Sequence, residues 1–150
     1  MGFTTLSSAL YFYQNLEDFT TRFYEKFAAN ENYSALRELF LDLARDNIKQ
    51  KNTVLRTYQE AITDILEVGS SLDGMREEDY LIPEMPVEDS DMKEVLNYAI
   101  TLEDCGLRFC LDISKKIRTL LTDISRPFES AGKKKGDRKN RLEAALRSLG

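Results

Sequence analysis

Two glutamates stand in the same local sequence 86 residues apart. Leu16-Glu17-Asp18, with Arg22, Phe23 and Tyr24 downstream, returns as Leu102-Glu103-Asp104 with Arg108, Phe109 and Cys110. The match extends upstream, where Leu10 and Phe12 correspond to Leu96 and Tyr98. A carboxylate set in an apolar stripe can hold a metal ion, pass a proton or balance a buried cation. The chain has no histidine, which removes the commonest metal ligand and the commonest general base together. Cys105 and Cys110 therefore have no histidine partner, and there is no Gly-x-Ser-x-Gly turn or Gly-rich phosphate loop. Nucleophilic and nucleotide chemistry find no support, and no residue is assigned as catalytic.

Helices must position the two acids. Leu16, Phe19, Phe23 and Phe27 recur at three and four and predict a first helix from Leu6 to about Ala29. Asn30-Glu31-Asn32 reads as a turn. A second helix follows from about Tyr33 to Val68, carrying Leu36, Phe40, Leu43, Ala44, Asn47, Lys51, Val54 and Tyr58, and closing at Gly69. Between Ser70 and Asp91 the periodicity stops, and Gly74, Pro83 and Pro86 punctuate eight acidic residues against the single Arg76. That length predicts a crossover from one end of a bundle to the other, and hence parallel second and third helices.

Ser90 or Asp91 caps a third helix whose stripe, with Val95, Ala99, Leu102, Glu103, Gly106, Phe109, Cys110 and Ile113, runs to about Ile124. Ser125-Arg126-Pro127 stops it and starts a fourth, with Pro at the first helical position. There Phe128, Ala131, Lys135, Arg138, Leu142 and Ala145 share one face, basic in the middle. Gly132 and Gly136 each cost ~1 kcal/mol in a helix interior and predict fraying or a loop over residues 131–137. The fold class is all-α: one domain over 1–150, made of a hairpin at about 6–69, a crossover at 70–91 and a hairpin at about 92–150.

At 150 residues and 42% hydrophobic, the chain can bury one sizeable core. A formal charge of −5 argues against a dedicated nucleic-acid binder. No stretch approaches 18 apolar residues and the N-terminus lacks a basic leader, so a membrane is not expected and the cytoplasm is. Cys105 and Cys110, five apart on one helix, point in different directions and read as reduced thiols.

Two hairpins, a long crossover and a mid-helix glutamate on the first and third helices resemble the ferritin-like superfamily, most closely its rubrerythrin-like branch. The most specific local features are Leu-Glu-Asp with Phe-Tyr six and seven residues after the Glu, and Leu39-Phe40 followed by Leu43-Ala44. The resemblance implies a four-helix bundle in which two helices each give one Glu and two give a Glu-x-x-His pair to hold two irons. Glu17 and Glu103 match the single glutamates. Asn47 and Gln50 take the Glu-x-x-His places on the second helix. On the fourth, the places fall on Asp137 and Asn140 in one register, or on Arg138 and Arg141 in the other.

Two glutamates and neutral amides offer about half the charge that two hard cations require. The expectation is a non-catalytic protein that has lost its di-iron centre, with no metal or cofactor. It would serve as a structural or interaction protein and homo-oligomerise through an apolar helix face. Burying unpaired carboxylates costs several kcal/mol, so a protein cation is expected between them: Arg138, Arg141 or Lys51, with Asn47 and Gln50 donating hydrogen bonds to the acids. Two other readings stand beside this one. Glu17, Glu103, Asp46 and Asp137 could bind iron or manganese weakly for oxidase or peroxidase chemistry. Lys133, Lys134, Lys135, Arg138, Lys139 and Arg141, six basic residues in nine, could bind nucleic acid, although no aromatic residue interleaves them.

Overall fold

A computed structural model describes residues 2–3, 5–61, 72, 74–118 and 122–149. The described residues are all-helical apart from loops and one isolated bridge, Gly2 to Arg76. Four helices carry the structure: α1 (Leu6–Ala28), α2 (Arg37–Ala61), α3 (Met92–Ile117) and α4 (Thr122–Ser148). A capping box opens α1, in which Thr5 Oγ1 accepts from the Ser8 amide at 3.0 Å and Ser8 Oγ accepts from the Thr5 amide at 3.1 Å. Asn30 caps a 3₁₀ turn, Glu31–Leu36, that leads into α2. Asp91 caps α3 by accepting from the Glu94 amide at 2.8 Å.

Each helix packs on two others: α1 on α2 and α3, and α4 on α2 and α3. All four contacts are antiparallel. Ser7 meets Tyr58 and Asp18 meets Lys51, Tyr13 stacks on Phe109 and Phe23 packs tilted against Tyr98, Asp104 meets Lys139 and Ser114 meets Ser125, and Asp42 meets Arg141 and Asn47 meets Arg138. It follows that α2 and α3 run parallel, and the segment between them must travel the length of the molecule. It does so along α3. Met75 accepts from the Phe3 amide near the start of α1, Tyr80 donates to Asp112 at 2.6 Å, and Tyr98 donates to the Pro83 carbonyl at 2.7 Å. The Glu88 and Ser90 carbonyls then accept from Tyr33, beyond the end of α1.

Three boundary expectations are corrected. The third helix stops at Ile117 rather than near Ile124, because the chain has already turned back: Ser114 donates to the Ser125 carbonyl at 3.1 Å. The fourth begins at Thr122, so Pro127 lies inside it. Residues 131–137 are neither frayed nor looped. Gly132 lets α4 approach α3 there, since a Cβ on it would meet Leu111 at 2.8 Å. Tertiary packing thus overrides propensity. The second helix's expected continuation to Val68 and Gly69 lies outside the described residues.

The apolar core is in two parts. One gathers Leu6, Leu10, Tyr13, Val54, Phe109, Ile113 and Phe128, and the other gathers Phe23, Tyr24, Phe40, Leu43, Leu96, Leu102 and Leu142. The buried side chains between them along α1, α2, α3 and α4 are charged or polar: Glu17, Thr20, Asn47, Gln50, Glu103, Lys135 and Arg138.

Candidate functional site: a charged layer across the core

That layer consists of Glu17 from α1, Asn47 from α2, Glu103 from α3 and Lys135 with Arg138 from α4. Exposure is 0% for Glu17, Asn47, Glu103 and Lys135, and 3% for Arg138. Helical spacing explains why each points inward. Leu16, Thr20 and Phe23 flank Glu17 on the buried face of α1, Leu102 and Gly106 flank Glu103, and Ala131 and Leu142 bracket the two cations of α4.

The Lys135 ammonium joins the two acids. Nζ lies 2.6 Å from Glu17 Oε1 and 3.6 Å from Glu103 Oε1. Arg138 Nη1 stands 3.7 Å from the same Glu103 oxygen. Asn47 Oδ1 accepts from both cations, at 2.7 Å from Arg138 Nη1 and 3.3 Å from Lys135 Nζ. Its Nδ2 donates to the Glu17 backbone carbonyl at 3.1 Å and to Thr21 Oγ1 at 3.3 Å. Two phenols complete the carboxylate shells: Tyr13 donates to Glu17 Oε2 at 3.4 Å and Tyr24 to Glu103 Oε2 at 2.5 Å.

The layer holds two acids and two bases, so it is formally neutral. Its ion pairs are not all aligned as hydrogen bonds, and Glu17 Oε1, Glu103 Oε1 and Arg138 Nη2 are buried without a hydrogen-bond partner among the described residues. Burial draws the Lys135 ammonium toward its neutral form, but Glu17 and Glu103 outweigh that and hold its pKa above the ordinary lysine value. Burial pushes the Glu17 carboxyl up, and Lys135 is the largest influence opposing it. The Tyr13 and Tyr24 phenols are driven well above the ordinary tyrosine value, by burial first and then by Glu17 and Glu103 respectively. Both stay neutral donors.

Lys135 reaches this position because Gly106 has no side chain. A Cβ there would come within 2.6 Å of Lys135 Cε and 2.7 Å of its Cδ. The glycine lies one turn after Glu103 on the same stripe, so the aliphatic stem of the lysine crosses α3 beside the acid that its ammonium meets.

The expected site residues divide. Glu17, Glu103, Asn47 and Arg138 are in the layer. Gln50 is buried but lines an open cleft on the α2/α4 side together with Asp46, Asp137 and Arg141. Asp137 and Asn140 are exposed, so that of the two expected registers of α4 the one with Arg138 turned inward holds, and Arg138 joins Lys135 in facing the acids. Arg141 is half-exposed with Asp42 at 3.8 Å, and Lys51 pairs with Asp18 at 2.7 Å, so neither neutralises the glutamates. The expectation that Asn47 donates to the carboxylates is also corrected, since it accepts from the cations and donates to a backbone carbonyl. Lys135 was placed on the buried stripe by spacing and in the basic cluster by composition, but not between the acids. Its signal was a lysine at a core position with a glycine, Gly106, on the facing helix.

The basic cluster does not form one face. Lys135 and Arg138 are buried, Lys133 pairs with Glu129 at 3.3 Å, and Lys139 pairs with Asp104 at 3.0 Å. Cys105 and Cys110 are buried free thiols. No helix among the described residues is long and apolar enough to cross a membrane. Comparison with protein-family models, with curated proteins and with solved structures finds no match.

The two irons that the resemblance implies do not fit this donor set. Two carboxylates face the layer, an ammonium already joins them, and Asp46 and Asp137 lie in the outer cleft instead. Among the described residues no group of three or more His, Cys, Asp or Glu is placed to hold a metal ion.

Proposed function

We propose that this chain is a ferritin-like four-helix bundle in which the Lys135 and Arg138 cations take the place of the irons, and that it acts as a non-catalytic structural or interaction protein. The observation that carries this reading is the Lys135 ammonium, 2.6 Å from Glu17 and 3.6 Å from Glu103. A positive charge there balances the internally duplicated acids without ligand exchange, redox change or an open coordination position. Antiparallel helix pairs, a crossover along α3 and parallel α2 and α3 support the bundle assignment. Buried reduced cysteines suit a reducing compartment such as the cytoplasm. Self-association would use the outer face of α2, where Leu41 and Ile48, seven residues apart, are both exposed.

Metal analysis tests the reading. Protein made in medium supplemented with iron and manganese should carry neither stoichiometrically, and Lys135→Met should not gain them. A stoichiometric metal in the wild-type protein would overturn it. Light scattering checks self-association, where a monomer at all concentrations would remove that part.

A further inference from the structure

The cleft on the α2/α4 side lies against the charged layer and has a different character. It encloses about 270 Å³. Its cations are Lys49, Lys134, Arg138 and Arg141, against two acids, Asp46 and Asp137. A neighbouring hollow of about 380 Å³ shares Lys49, Gln50 and Lys134 with it and adds Arg56. Five cations thus gather along this groove, on a chain whose formal charge is −5. Arg138 belongs both to the cleft wall and to the buried layer.

We propose that this cleft binds a small, multiply charged phosphate such as pyrophosphate, with Lys49, Lys134 and Arg141 balancing its charge and Arg138 forming part of the inner wall. Guanidinium and ammonium groups together suit phosphate, through forked hydrogen bonding and point charge respectively. Every residue lining both hollows is polar or charged. With no aromatic or aliphatic residue in its wall, the cleft offers a base no ring to stack on, which favours a hydrophilic ligand. Nucleic acid fits less well, because the remaining cluster members Lys133 and Lys139 lie outside the cleft and are held by Glu129 at 3.3 Å and Asp104 at 3.0 Å, closer than the 3.8 Å between Arg141 and Asp42. The proposal stands on the cleft and does not depend on the ferritin-like reading.

Calorimetric titration of the full chain with pyrophosphate, orthophosphate and a short DNA duplex at two salt concentrations tests it. Pyrophosphate should bind once per chain, more tightly than orthophosphate, and weaken with salt. The Lys49→Gln/Lys134→Gln variant changes two exposed residues and should melt like wild type while losing about tenfold in affinity. Lys133→Gln, on the same helix, should leave affinity unchanged. Absence of pyrophosphate binding, an unchanged affinity in the double variant, or tighter binding of the duplex than of pyrophosphate would each overturn the proposal.

Discussion

Glu17 and Asp18 are neighbours in sequence, as are Glu103 and Asp104, yet the two pairs of positions belong to different physical regimes. The glutamates lie fully buried between two apolar clusters and share Lys135. The aspartates, turned about 100° around their helices, sit at the rim, where Asp18 pairs with Lys51 at 2.7 Å and Asp104 with Lys139 at 3.0 Å. The outer contact is as short as the inner one. Distance alone therefore does not rank them. Water access does: a half-buried pair at the rim keeps water within reach of both ions, whereas a buried ion stripped of its partner has no solvent to fall back on.

The largest effect should come from removing the shared cation. Lys135→Met leaves Glu17 and Glu103 with Arg138 alone and should lower unfolding free energy by about 3–5 kcal/mol in urea titrations. Adding Glu17→Gln to Lys135→Met restores charge balance, with one acid left against one base. The double variant should recover a large part of that loss, and additive losses would break the distinction between regimes. Lys135 also sets an alkaline dependence. Its folded pKa is raised above the ordinary 10.5, so its stabilisation is complete below that pH and is lost as pH rises through the raised value. Wild type should therefore lose stability more steeply than Lys135→Met above about pH 10.5.

Next in size is the hydrogen bond on the Glu103 side. Tyr24→Phe removes a buried donor 2.5 Å from a carboxylate and should cost about 1.5–3 kcal/mol. Tyr13→Phe, whose hydroxyl lies 3.4 Å from Glu17, should cost less, and equal costs would show that the two acids are held alike. Gly106→Ala forces a methyl against the lysine stem and should cost about 1–3 kcal/mol by thermal melting. An unchanged melting temperature would mean that Lys135 has another route to the acids. The smallest effects belong to the rim: Lys51→Met and Lys139→Met should each change stability by no more than about 1 kcal/mol, less in high salt.

Much of this was legible in the residues. Spacing at three and four located the faces of all four helices, and the repeat identified Glu17 and Glu103 as the acids to follow. Asn47 and Arg138 stood out for the same reason, as polar residues on apolar stripes. The boundaries near Pro127 and the supposed fraying at Gly132 and Gly136 were misread, because glycine and proline are strong local signals that interhelical contact can override. Of the two neutralising residues, Arg138 is among the candidates the sequence offers and Lys135 is not, for a related reason: Lys51, Arg138, Arg141 and Lys135 all have side chains long enough to reach an acid one helix away.

By itself the sequence determined that two matched carboxylates would be carried inward on helices, since helical periodicity is a local property and an apolar stripe has only one way to be buried. It also determined, by the absence of histidine, that no imidazole could accompany them. Which cation meets them was decided only in the tertiary structure. That choice depends on how closely α4 approaches α3 and on the space left where Gly106 has no Cβ, and both are set by packing between segments some thirty residues apart. The same packing separates Glu17 from Asp18 and Glu103 from Asp104, giving one residue of each pair a partner in the core and the other a partner at the water's edge.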